Sequence, residues 1–354
     1  MKAVIYVGLG KVEIQERPMP KILEPTDAIV KLSKTTLCGT DLHILKGDVP
    51  TVSFGRIMGH EGVGTIEAVG PAVSAFAPGD RVVISSVSKC GLCTFCRRGI
   101  FSHCARGGWQ LGNTLDGTQA EFVRIPYADG SLHRASPAVP DAALLMLSDA
   151  VPTGLECGTL DARVRPGCSV AIVGAGPVGL CALMTARLYS PAMVIVLDLD
   201  SARLEVARRL GATHVVRAGT GAVEEVMRLT GGEGVDAVIE AVGVPASFEL
   251  CQELVAVGGT IANLGVHGAS ATIHLEKLWN RNITVTTRQV DNGSTADLME
   301  LIARGQIDAG ALATHYFRFD EIQEAYACFS NAAANKALKV IVDFEGTGGA
   351  AARL

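Results

Sequence analysis

Cys90, Cys93, Cys96 and Cys104 form a C-x2-C-x2-C-x7-C run in a loop flanked by glycine and arginine. Four thiolates this close together suit tetrahedral zinc, which takes sulfur ligands at about 2.3 Å from four sides. The bacterial iron–sulfur run has a shorter last gap and a proline after its final cysteine. Here the last gap is seven residues and Ala105 follows. Four protein ligands close a coordination shell, so this metal is expected to act as a structural clip over about residues 88–108. A metal that performs chemistry must be sought elsewhere.

A second chemical motif lies downstream. Gly174-Ala175-Gly176-Pro177-Val178-Gly179 follows the apolar stretch Val170–Val173 and opens a helical pattern, while Asp198 closes the next apolar stretch, Met193–Leu197. A bare G-x-G-x-x-G is weak evidence, but a strand–turn–helix setting with a following acid is what a dinucleotide-binding fingerprint requires. Gly174 permits the tight turn, Gly176 lets the backbone approach a pyrophosphate, and Gly179 allows close helix packing. The helix N-terminus adds free N–H groups and a favourable dipole. Asp198 suits the adenosine ribose hydroxyls and repels a 2′-phosphate, so NAD is expected over NADP. Arg203 tempers that preference, although its plainer reading is an exposed helix position. Arg203 and Val266 complete the expected cofactor-binding set.

The elements that must position these motifs follow from length and pattern. At 354 residues and 48% hydrophobic composition, two domains with ample core are expected. No apolar run spans a bilayer, and the start, Met1-Lys2-Ala3-Val4-Ile5-Tyr6, is strand-like and too brief for a secretory signal. A net charge of −5 gives no general attraction to nucleic acid. Ten cysteines without a signal, four of them at metal spacing, fit a reducing cytoplasm. Residues 1–151 read as short strands and loops, including Val4–Val7, Ala28–Leu32, Gly64–Val69 and Arg81–Ile84. A helix is expected over Thr153–Thr159. Residues 152–289 alternate strands with helices, the pattern of a parallel sheet covered on both faces. Over 290–354 come helices near Thr295–Arg304 and Asp320–Phe329 and a strand over Leu338–Phe344. That strand is expected to return to the first domain, and Gly346–Leu354 to fray.

Cys38, in Leu37-Cys38-Gly39-Thr40-Asp41-Leu42-His43, and His60, in Gly59-His60-Glu61-Gly62, would each be unremarked alone. Taken with the cysteine loop and the nucleotide fingerprint, in that order, they resemble the zinc-dependent medium-chain alcohol dehydrogenase family over essentially the entire chain. The resemblance implies an α/β protein of two domains: a discontinuous, mostly-β, GroES-like catalytic domain and a Rossmann doubly wound parallel sheet. It implies that Cys38 and His60 ligate a catalytic zinc, that Glu61 is the adjoining acid able to ligate, and that Asp149 stands where one branch of the family has its third ligand. The competing reading of Asp149 is a helix cap before Pro152. Thr40 and His43 match the family's proton relay, Thr40 at the substrate oxygen and His43 passing the proton outward through the cofactor ribose. Asp41 has no comparably specific role and is expected to be structural.

The implied activity is reversible oxidation of alcohols to ketones or aldehydes with hydride transfer to NAD, using two zinc ions per chain, one catalytic and one structural. Trp109 and the stretch Asp116–Phe122 resemble bacterial secondary-alcohol enzymes, and Phe54 is expected to form another pocket wall. Small or medium secondary alcohols therefore lead, ahead of a polyol or L-threonine dehydrogenase. Some bacterial secondary-alcohol enzymes that share the aspartate lack the cysteine lobe, whereas this chain combines the two. A non-enzymatic NAD- and zinc-binding protein would need no open metal site. The resemblance also implies a homodimer or homotetramer joined near Ile283–Thr286, with a small-molecule alcohol or ketone as partner and neither nucleic acid nor membrane.

Overall fold

The computed structural model describes residues 1–345. The expected fraying of Gly346–Leu354 lies outside the described residues. Two compact units are present. One comprises Met1–Asp149, Asp291–Gly305 and the chain from Ala309 onward; the other comprises Ala150–Val290 with Gln306–Asp308.

The first unit is built on a seven-stranded sheet. Its neighbours run Ala313–Arg318, Lys339–Asp343, Ala28–Thr36, Gly62–Val69, Arg81–Ile84 and Leu132–Arg134, and Phe122–Ile125 also pairs with Ala28–Thr36. Ala28–Thr36 is the hub, antiparallel to Gly62–Val69, Phe122–Ile125 and Lys339–Asp343. A strand from late in the sequence is thus stitched beside one from its start, and the unit is discontinuous. Leu37, Ile44, Met58, Ile322, Tyr326 and Val340 share one buried cluster. Fully burying such a side chain stabilises by about 1.5–3 kcal/mol. The cluster matters for position: Leu37 precedes Cys38, Met58 lies two residues before His60, and Val340 follows Lys339. Packing therefore pins the backbone that carries these polar residues.

The second unit is a six-stranded parallel sheet, ordered His214–Arg217, Met193–Asp198, Ser169–Val173, Val235–Glu240, Val255–Asn263 and Thr284–Thr287. Numbered along the unit this is 3-2-1-4-5-6, the dinucleotide-binding order, with its switch point between Ser169–Val173 and Val235–Glu240. Strands buried on both faces read as apolar runs, as Val170–Val173 and Val194–Leu197 do. The strand Val255–Asn263 carries Gly258 at φ +77°, and its register with Val235–Glu240 slips between Val235 and Ala237. One local expectation shifts. The helix expected over Thr153–Thr159 is an α-helical turn over Ala150–Thr153 continued as a wider π-helix over Gly154–Leu160. Gly154 lies so close to the backbone of Cys181 and Ala182 that a side chain there would overlap it.

Candidate active site

Cys38 caps the helix Gly39–Lys46 from an extended conformation, and Asp41 in the first turn makes this local structure. The buried Asp41 Oδ2 accepts from the Cys38 N–H at 2.9 Å and from Gln119 Nε2 at 3.3 Å. Gln119 Oε1 accepts in turn from the Tyr326 hydroxyl at 2.9 Å. A carboxylate at this position satisfies an otherwise orphaned helix donor and complements the dipole. Gly47 ends the helix in the left-handed region at φ 86°. Asp41 is therefore structural, as expected, and what it holds is the Cys38 backbone.

His60 and Glu61 sit on a turn entering the strand Gly62–Val69. Gly59, at φ +92°, packs so tightly on Thr118 and Gln119 that a Cβ would lie within 3.0 Å of them. Thr35 and Thr118 hydroxyls both donate to the Glu61 carbonyl, at 2.7 and 2.8 Å. The Glu61 carboxylate is fully buried, and both of its oxygens accept from Lys339 Nζ, at 2.6 and 2.8 Å. Burial pulls the Lys339 ammonium down, but interaction with Glu61 first and then with Cys38 outweighs it and holds the group above the ordinary lysine range. Asp149 lies between a 3₁₀ turn over Met146–Ser148 and the turn Ala150–Thr153, and its Oδ1 accepts from the Ser86 hydroxyl at 3.0 Å.

Ligand atoms of Cys38, His60, Glu61 and Asp149 all lie within 4.8 Å of one another. One sulfur, one imidazole nitrogen and carboxylate oxygens form a donor set that zinc accepts. Charge supports the fit. Burial depresses the His60 imidazole, yet its contact with Cys38 and the charges of Cys38, Asp41 and Glu61 overcome that and raise it to about 10. A buried pocket that binds a proton this tightly is short of positive charge, which a divalent ion supplies. The sign of the pH dependence follows. If His60 ligates zinc, the metal must displace its proton at neutral pH, and apparent zinc affinity should then fall about tenfold per pH unit from pH 8 to pH 6. Competition against a fluorescent zinc chelator at those pH values reads this out, and a flat profile would exclude His60 as a ligand.

Thr40 Oγ1 stands 3.8 Å from Cys38 Sγ, and His43 Nδ1 pairs with Asp48 Oδ2 at 2.9 Å on a partly exposed face. The half-buried Trp109 meets the His60 ring in a T-shaped arrangement, centroids 6.2 Å apart, and its Nε1–H donates to the Leu111 carbonyl at 3.1 Å. Phe54 is 63% exposed and makes its ring contact with Tyr6 at 5.1 Å.

The cysteine quartet is equally compact. Its four sulfurs lie within 4.8 Å of one another, and Cys90 Sγ and Cys96 Sγ are 4.0 Å apart. Tetrahedral Zn–S bonds of about 2.3 Å imply sulfurs about 3.8 Å apart. Backbone N–H groups of Cys96 and Ala105 donate to Cys93 Sγ and hold that thiol down to about 6. Burial, with Cys104 and Cys93 beside it, pushes Cys96 up to about 12. Four thiolates cannot coexist there without a cation, so the loop suits a closed zinc site.

In the parallel unit the glycine turn follows Val173. Gly174 adopts φ +106°, and a Cβ on Gly179 would fall 1.9 Å from the Gly174 carbonyl oxygen. Gly176 caps the helix Pro177–Arg187, with Pro177 in its first turn and Val178 following. Asp198 Oδ2 accepts from the Ala175 N–H at 2.7 Å and Oδ1 from the Asp200 N–H at 2.8 Å, tying the acid to the turn. Arg203 Nη1 is 3.9 Å from where a Gly176 side chain would begin. Val266 is exposed in the loop after the strand Val255–Asn263. Glu240, unnoticed in the sequence, ends its strand by accepting from Val242 N–H, Gly243 N–H and Ser247 Oγ–H at 2.9, 2.9 and 2.6 Å. It shapes the loop that packs on Gly174.

Comparison with known proteins places the whole chain in a family. The profile described as an alcohol dehydrogenase GroES-like domain matches residues 24–136, and that described as a zinc-binding dehydrogenase matches residues 177–304. An alcohol dehydrogenase of Cupriavidus necator is 39% identical over 352 residues, covering 94% of this chain and 95% of that protein. The chain belongs to the zinc-dependent medium-chain alcohol dehydrogenase family. The solved apo form of zinc dependent alcohol dehydrogenase 2 from Streptococcus pneumonia matches this dehydrogenase with a TM-score of 0.94 at 49% identity, covering 99% of this chain and 100% of that one. The NADP-dependent isopropanol dehydrogenase of Thermoanaerobacter brockii is 32% identical over 340 residues, covering 92% of this chain and 95% of that protein. This alcohol dehydrogenase is thus a zinc enzyme using a nicotinamide dinucleotide.

Lys339 escaped the sequence reading. Its signal was a lone cation entering an apolar strand, Lys339–Asp343, every residue of which is buried.

Proposed function

We propose that this alcohol dehydrogenase oxidises small or medium secondary alcohols reversibly to ketones, with NAD as hydride acceptor. The observation that carries the reading is the cluster of Cys38, His60 and Asp149 with the Trp109 ring in its T-shaped contact with His60. When bound, zinc supplies Lewis-acid polarisation of the substrate oxygen and the nicotinamide accepts the hydride. Cys38, His60 and Asp149 hold the metal, while Glu61, engaged by Lys339, stands beside them as a further carboxylate. Thr40 would accept the substrate hydroxyl proton as it releases its own, and His43 would pass that proton outward through the cofactor ribose, a duty imidazole suits because its ordinary pKa is near neutrality. Trp109 offers an apolar wall that favours a short hydrocarbon substituent over a charged one.

Asp198 favours NAD, since its carboxylate would face a 2′-phosphate with like charge. Gly174, Gly176, Pro177, Val178 and Gly179 cradle the pyrophosphate, and Arg203 and Val266 border the nucleotide. The edge strand Thr284–Thr287, with its alternating exposure, is the surface we assign to pairing with a second copy. Ten cysteines, none in a disulfide among the described residues, favour a reducing, cytoplasmic compartment. Among those residues no helix is long and apolar enough to cross a membrane.

The test is initial-rate reduction of NAD and of NADP across secondary alcohols, primary alcohols, polyols and threonine on zinc-assayed protein. Highest kcat/KM with NAD and a short secondary alcohol is the expected result. A polyol or threonine preferred by tenfold or more would overturn it.

A further inference from the structure

One buried turn far from Asp149 in sequence converges on it in the first unit. Asn292 is fully buried and adopts the left-handed region at φ 51°. Asparagine tolerates that conformation better than other residues with a Cβ. Its Nδ2 lies 3.0 Å from Ser85 Oγ, 3.2 Å from Ser86 Oγ and 2.5 Å from the Ser148 carbonyl oxygen. Directions can be read from these partners. Ser85 Oγ–H donates to the Val87 carbonyl at 2.9 Å and Ser86 Oγ–H donates to Asp149 Oδ1 at 3.0 Å. Both hydroxyl protons are therefore committed, and the Ser148 carbonyl can only accept, so the Asn292 amide nitrogen is the donor in each contact, its two hydrogens shared among three acceptors.

The result is a one-way chain: Asn292 N–H to Ser86 oxygen, and Ser86 O–H to the Asp149 carboxylate. Hydrogen bonds in such a chain polarise one another. The turn itself is anchored from both ends of the cysteine loop. Lys89 Nζ donates to the Asn292 carbonyl at 3.2 Å, and Ser102 donates to Asp291 Oδ1 through its N–H and its hydroxyl, each at 2.7 Å.

We infer that Asn292 and Ser86 are positioning residues that hold the Asp149 carboxylate in its metal-binding orientation. The inference rests on the proposed reading of Asp149 as a ligand. A carboxylate ligand has several rotamers, and the Ser86 donor fixed on Oδ1 selects among them. Groups in this outer position characteristically govern metal affinity or activity by 10–100-fold.

The experiment measures zinc release from the holoenzyme to a chromogenic chelator, resolving the site lost first from the cysteine quartet, together with the visible spectrum after cobalt(II) exchange. Four variants are compared: Ser86→Ala, Ser86→Thr, Asn292→Gly and Asp149→Ala. Glycine at 292 keeps the left-handed backbone while removing the amide. The expected result is release about 10–100-fold faster for Ser86→Ala and Asn292→Gly, with an altered cobalt spectrum, unchanged retention by the quartet, and recovery in Ser86→Thr. Fast release in Asp149→Ala with wild-type release in Ser86→Ala and Asn292→Gly would overturn the inference while leaving the ligand set intact. Wild-type release in Asp149→Ala would overturn the ligand assignment itself. Equal loss from both metal sites, or no recovery with threonine, would mark the chain as general packing and overturn the inference.

Discussion

Replacing Lys339 with methionine is expected to destabilise the mostly-β unit by about 3–5 kcal/mol, the usual consequence of removing one partner from a buried ion pair. The Lys339 side chain is 3% exposed and the Glu61 side chain 1%, so water cannot take over the lost contacts. Methionine fills much the same volume, which isolates charge from packing. Glu61→Gln in the same chain removes the stranded carboxylate, and the double variant should regain most of the loss. Urea unfolding of the zinc-loaded proteins measures both steps. A loss under about 1 kcal/mol in Lys339→Met would show that Glu61 finds another partner. The obvious alternative is the metal itself, and the loss would then be larger in zinc-free protein.

Cys38→Ser should reduce kcat/KM for the best alcohol by about a thousandfold or more, because a Lewis-acid metal contributes several kcal/mol and each 1.4 kcal/mol is about tenfold. A serine hydroxyl at neutral pH is a poor zinc ligand beside a thiolate. Zinc content is expected to drop from two ions per chain to one, the quartet Cys90, Cys93, Cys96 and Cys104 being untouched. The paired measurement is decisive. Two retained zinc ions with lost turnover would move Cys38 out of the ligand set, and full turnover with one zinc would remove the metal from the chemistry.

What could be read from the sequence depended on how far apart the cooperating residues are. The quartet declares itself because one loop carries all four ligands, and the glycine fingerprint because strand, turn and helix are contiguous. Cys38, His60 and Asp149 carry no such local signal; only the resemblance connected them, and the fold brings their ligand atoms together. Lys339, 278 residues from Glu61, and Asn292, 206 residues from Ser86, had no signal that spacing could supply. Their partners are set by strand register and by one left-handed turn, which are properties of the folded chain. Asp41 lay between these cases: next to Cys38 in sequence, yet informative only once its carboxylate was seen on the Cys38 N–H. Trp109 and Phe54 divided likewise, the first meeting His60 and the second Tyr6.

The antiparallel pairing of Lys339–Asp343 with Ala28–Thr36 has a consequence for biosynthesis. A chain emerging from the ribosome presents the parallel sheet of Ala150–Val290 complete, free to fold as a unit while translation continues. The earlier half must wait, Lys34–Thr36 of its central strand without a partner on that side and Glu61 without its cation, until Lys339–Asp343 has been made. Zinc binding at the proposed site of Cys38, His60 and Asp149 is therefore expected to follow synthesis of that strand.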